Sequence, residues 1–87
     1  MKTTTCTLEF KDGVKLTARL ESTSPDQKSS PTVIYPTGFD PARWPYRPRV
    51  SREATSSLLI ATFQNIGEEL GINVEIVEEG DYDTWAE

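Results

Sequence analysis

The chain has 87 residues, enough for one domain, since ordinary domains run to roughly 100–200 residues and a second would have no core of its own. Hydrophobic residues are only 36% of it, so the core must be thin, and 9 Lys+Arg against 14 Asp+Glu leave a net charge of −5. That balance argues against an overall basic coat for nucleic acid; zero histidines remove the commonest general base and zinc ligand, and one cysteine excludes an internal disulfide and any CxxC site.

The first segment alternates. Cys6, Leu8 and Phe10 are interleaved with Thr5, Thr7 and Glu9, and Val14, Leu16, Ala18 and Leu20 with Lys15, Thr17, Arg19 and Glu21. The two-residue period predicts two half-buried strands forming a hairpin over 4–21. A two-residue Asp-Gly turn would set Phe10 against Lys15 and Leu8 against Thr17, spoiling the apolar face. A three-residue loop, Lys11-Asp12-Gly13, instead pairs Phe10 with Val14, Leu8 with Leu16 and Cys6 with Ala18. It also sets Glu9 opposite Lys15 on the wet face, so the longer loop is expected, with Gly13 left-handed in a bulge.

Residues 22–30 contain no apolar side chain and are expected to form a mobile loop. Thr32 to Tyr35, bounded by Pro31 and Pro36, reads as a short strand. From Thr37 to Val50 there is no period, and repeated prolines push their preceding residues out of the helical region, predicting a long extended connection.

Ser51 is the expected N-cap of a helix over 52–70, with Glu53 in its first turn. Leu59, Phe63, Ile66 and Leu70 form one apolar stripe, widened by Leu58 and Ile60, while Gln64, Asn65, Glu68 and Glu69 face outward. Gly71 is the stop signal. Ile72, Val74 and Ile76 then alternate into a last strand, 72–78, followed by an acidic aromatic tail, 79–87. The expected fold is α+β: a small, mostly antiparallel sheet packed on one helix in two layers. Nothing local places the last strand within that sheet.

Charge is segregated along the chain. Residues 1–52 hold 9 basic and 5 acidic side chains, whereas residues 53–87 hold no basic and 9 acidic ones. Such a run is either a solvated acidic face, neutralised in part by the arginine loop, or a surface that docks on a basic partner. On the second reading Glu68, Glu69, Glu75, Glu78, Glu79, Asp81 and Asp83 supply steering. Trp44, Tyr46, Tyr82 and Trp85 supply buried anchors. Arg43, Arg47, Arg49 and Arg52, interleaved with Trp44 and Tyr46, also have the chemistry to grip phosphates and stack bases, the alternative of a nucleic-acid-binding module. The same two aromatics equally suit a roof over the core, with the arginines snorkelling outward. A third alternative is a structural subunit that completes a larger assembly through an open sheet edge at the Thr32–Tyr35 strand.

Catalytic chemistry finds no set of residues. Cys6 falls on the predicted inner face without a histidine to activate it, no Ser–His pair exists, and Gly38, Gly67, Gly71 and Gly80 are isolated rather than a phosphate loop. The tail acids lack the alternating ligands and turn glycine of a calcium loop, so no metal and no cofactor is expected. The start of the chain, Met1 to Cys6, carries no apolar run and is expected to hold neither a signal peptide nor a lipid-anchoring leader. No stretch approaches the ~18 apolar residues of a membrane span. The composition thus points to a small cytoplasmic, non-enzymatic inhibitor or adaptor that binds a basic, nucleic-acid-handling protein. Small phage-encoded inhibitors share this general build, an analogy of class that no motif carries.

Overall fold

The computed structural model describes residues 1–36 and 52–84. The alternating segments form β1 (Lys2–Glu9) and β2 (Lys15–Ser22), joined by the three-residue loop. Cys6 stands opposite Ala18, Leu8 opposite Leu16 and Glu9 opposite Lys15. The Phe10 N–H donates to the Val14 carbonyl at 2.8 Å and the Gly13 N–H to the Phe10 carbonyl at 2.9 Å. Gly13 adopts φ +86°, and the Asp12 carboxylate accepts the Val14 N–H at 3.1 Å. The register that keeps every apolar side chain on one face is therefore the one adopted.

Beyond β2, the polar segment expected to be a mobile loop carries hydrogen bonds from its own side chains. The backbone N–H and hydroxyl of Thr23 both donate to Gln27 Oε1, and Ser24 Oγ donates to Asp26 Oδ1 at 2.7 Å. Short polar side chains do this because they reach backbone groups two to four residues away. Further along, Ser29 and Ala54 exchange both backbone hydrogen bonds, at 3.0 and 2.9 Å. The third strand, β3 (Thr32–Ile34), pairs antiparallel with β2 and is one residue shorter than expected. The connection expected over 37–50 lies outside the described residues.

The helix, α1 (Ser56–Leu70), begins four residues later than the sequence predicts. Ala54 is committed to the bridge with Ser29 and is 2% exposed, so the backbone cannot turn helical before it. Thr55 is the N-cap, in extended conformation, its Oγ1 accepting the Leu58 N–H at 3.2 Å. Ser51 lies outside the described residues, and Glu53 precedes the helix rather than entering its first turn. The stop is as the sequence predicts. Gly71 is left-handed at φ 65°, its N–H donating to the Glu68 carbonyl, and Ile72 donates to Gly67 at 3.0 Å.

The last strand, β4 (Asn73–Gly80), lies antiparallel beside β1, giving the order β3-β2-β1-β4. One face of this sheet is packed by α1. Cys6, Leu8, Phe10, Leu16, Ala18 and Leu20 meet Leu59 and Phe63 there, with Ile60, Ile66, Leu70, Val74 and Ile76 around the rim. Leu58 does not widen the buried face; it is 47% exposed. A helix lying on a single sheet buries only a narrow arc, and Leu58 falls about 100° round from Leu59. The architecture is α+β in two layers, as predicted. Among the described residues no helix is long and apolar enough to cross a membrane.

Candidate protein-docking edge

With β1 and β2 inside, β3 and β4 are the two edges of the sheet among the described residues. They differ greatly. β3 has three residues, with Pro31 and Pro36 at its flanks, whereas β4 has eight. Prolines and shortness blunt one edge; charge is the usual protection of the other.

Hydrogen bonding in an antiparallel ladder alternates from residue to residue. Because Phe10 bonds Val14 across the hairpin, Leu8 and Cys6 direct their backbone groups toward β2. Thr3, Thr5 and Thr7 consequently direct theirs toward Glu79, Val77 and Glu75 of β4. On β4 the N–H and C=O groups of Val74, Ile76 and Glu78 therefore face away from the sheet. On β3 the same alternation leaves Val33 as the outward residue of the strand, because Thr32 and Ile34 are bridged to Arg19 and Thr17.

The acidic side chains divide by strand parity. Glu75 and Glu79 lie on the face of the sheet opposite the helix, flanking Val77, which is 39% exposed. Glu78 shares the helix side, where Lys2 Nζ reaches its Oε1 at 3.1 Å. The Lys2 ammonium also stands 4.7 Å from the Tyr82 ring centroid. Hydrogen bonding to Glu78 holds the Lys2 pKa above its ordinary value. Asp83 bonds the N-terminal ammonium of Met1 at 2.7 Å, and the Thr84 N–H donates to the Thr23 carbonyl at 2.8 Å. Residues 81–84 are thus fastened across the end of the sheet, and the segment expected to be a tail from 79 contributes Glu79 and Gly80 to β4.

Glu68 and Glu69 are exposed on α1, whose Gly67 packs against Val74 of β4. Glu68, Glu69, Glu75, Glu79 and Asp81 make no ion pair among the described residues, whereas Glu78 and Asp83 each have an internal cation. The steering set therefore separates into Glu78 and Asp83, which have ion-pair partners, and five carboxylates that have none among the described residues, of which Asp81 still adds to the field that raises the Lys2 pKa. Of the arginines, Arg52 is exposed just before the helix; Arg43, Arg47 and Arg49, with Trp44, Tyr46 and Trp85, lie outside the described residues.

Lys2 is the residue the sequence reading missed. Its even number continues the Thr4–Cys6–Leu8 face, so the alternation itself was the available signal, but its partner depended on β4 lying next to β1. The helix-side end of the sheet is polar in other respects too. Thr4 and Ser56, both buried, share a hydrogen bond of 2.7 Å, and buried Ser22 Oγ has no partner among the described residues. Beside them Cys6 is fully buried, and burial pushes its thiol up to about 11, which makes it inert at neutral pH.

On the uncovered face a shallow depression is lined by Arg19, Glu21, Ser30, Thr32 and Ile34. Arg19 there bonds Glu21 at 3.2 Å, so its charge is already answered. Among the described residues no three metal-capable side chains come together. No protein-family model, no curated protein and no solved structure matches the chain.

Proposed function

We propose that this chain is a non-enzymatic protein-binding module, an inhibitor or adaptor, that sets its β4 side against a basic surface of a cytoplasmic partner that handles nucleic acid. The observation that carries the reading is the set of exposed carboxylates that make no ion pair among the described residues: Glu75 and Glu79 on the long edge strand, Asp81 just beyond it, and Glu68 and Glu69 on the neighbouring helix. A field of one sign accelerates encounter with the opposite sign by roughly 10–10³-fold and fades over a Debye length of about 8 Å at physiological salt. Bonds to partner backbone or apolar anchors then hold the complex, because charge contributes more to on-rate than to affinity.

The test begins with capture of the tagged chain's partner from extract of its own cell or host, followed by stopped-flow association. Reversing Glu75, Glu79 and Asp81 to lysine should slow association and flatten its salt dependence. Unchanged on-rate and salt slope in that variant would refute the reading.

A further inference from the structure

Resting on that reading, we infer that the partner engages β4 by adding a strand to it, and that the added segment is extended, with Lys or Arg at positions flanking an apolar centre. The edge supplies the backbone half of the recognition. Val74, Ile76 and Glu78 present their N–H and C=O groups outward along the eight-residue strand β4, and main-chain bonding to such an edge is what gives strand addition its affinity. The other edge does not compete. β3 is three residues long and is preceded by Pro31, which has no N–H to offer.

Side chains supply the specificity. On the uncovered face, Glu75, Val77 and Glu79 follow one another at alternate positions, so the two carboxylates lie about 13 Å apart along a strand rising ~3.3 Å per residue. A strand docked alongside places alternate side chains opposite these three: basic, apolar, basic. On the helix side it meets the half-buried flanks of Val74 and Ile76, which favour apolar residues at the intervening positions. The partner segment is thus an apolar stretch with a cation at each end of one face.

Charge also argues against a second copy as the occupant. Antiparallel self-pairing centred on Val77 would set Glu75 of each copy opposite Glu79 of the other, and like charges directly opposite destabilise a pair. In that register the acids oppose self-pairing while admitting a basic strand.

Amide hydrogen exchange on the full chain, read by NMR, tests this directly. The probe is a synthetic peptide in which two lysines flank an apolar triplet, with a control in which both lysines are glutamate. In the free chain the amides of Val74, Ile76 and Glu78 should exchange quickly, and those of Glu75, Val77 and Glu79, bonded to β1, slowly. At about 100 times the dissociation constant, the lysine peptide should slow the outward set up to ~100-fold and leave the inward set little changed, because exchange then needs the small unbound fraction. The glutamate peptide should do nothing. Peptide binding that depends on Glu75 and Glu79 but leaves the outward amides fast would overturn strand addition while sparing the acidic docking reading. Protection that survives reversal of Glu75 and Glu79 would overturn both. No binding of the lysine peptide would overturn the inferred segment, and a free chain that is dimeric with those amides already protected would show a second copy on the edge and overturn it equally.

Discussion

Gly67→Ala offers a sharp test of how the helix sits on the sheet. In an exposed helix interior this change stabilises by about 1 kcal/mol, because alanine gives up less backbone entropy than glycine. At this position the sign reverses. A Cβ on Gly67 would fall inside the Cγ2 methyl of Val74 and come within 3.3 Å of the Ile72 carbonyl oxygen. Valine is stiff about χ1 and the carbonyl is backbone, so neither can swing aside at small cost. Forcing one extra methyl into a packed contact costs typically ~1–3 kcal/mol, which outweighs the propensity gain and leaves a net loss of up to about 2 kcal/mol. Urea denaturation followed by circular dichroism should show a lower midpoint with unchanged slope, and the melting temperature should fall by roughly 4–8 °C per kcal/mol for a domain of this size. Adding Val74→Ala should recover much of the loss, a coupling of about 1 kcal/mol between contacting residues. An exposed control on the same helix, Asn65→Ala, should stabilise by no more than ~0.7 kcal/mol. If Gly67→Ala stabilised like that control and did not couple to Val74, the close approach of α1 to β4 would be refuted.

Other expectations follow from the polar end of the core. Thr4→Val or Ser56→Ala alone strands a buried hydroxyl and should cost about 1–3 kcal/mol, while the double variant should lose distinctly less than the sum; additive losses in a denaturation cycle would deny the shared bond. The thiol makes stability fall as pH rises from about 9 to about 11. Its folded pKa is raised, so the unfolded chain sheds the proton first and is favoured progressively through that window, by on the order of 2 kcal/mol. Cys6→Ala should lower stability throughout but flatten the alkaline decline relative to the parent, and parallel curves for the two proteins would count against the assignment.

Much of this molecule was legible along the chain. Alternation set the inward faces of the first two strands, and the need to keep Phe10, Leu8 and Cys6 together selected the three-residue loop and its left-handed Gly13. Gly71 followed by Ile72 marked the helix stop, because a left-handed glycine and the two bonds that close it are purely local chemistry. The placement of β4 was not legible. Its own period says which side chains turn inward but not which edge it joins; that was decided by β1 having an open side while β3 is short and flanked by prolines. The same long-range pairing determined the candidate site. It put Glu78 within reach of Lys2, sent Glu75 and Glu79 to the uncovered face, and brought Asp83 to the N-terminal ammonium. The helix start moved for a related reason, since the partner that holds Ala54 extended is Ser29, a residue from a loop whose local composition is silent about it. Local sequence thus determined each element's period and its ends where turn chemistry speaks. The tertiary structure alone decided which charges meet, because Coulomb and hydrogen-bond partners are neighbours in space and not in the chain.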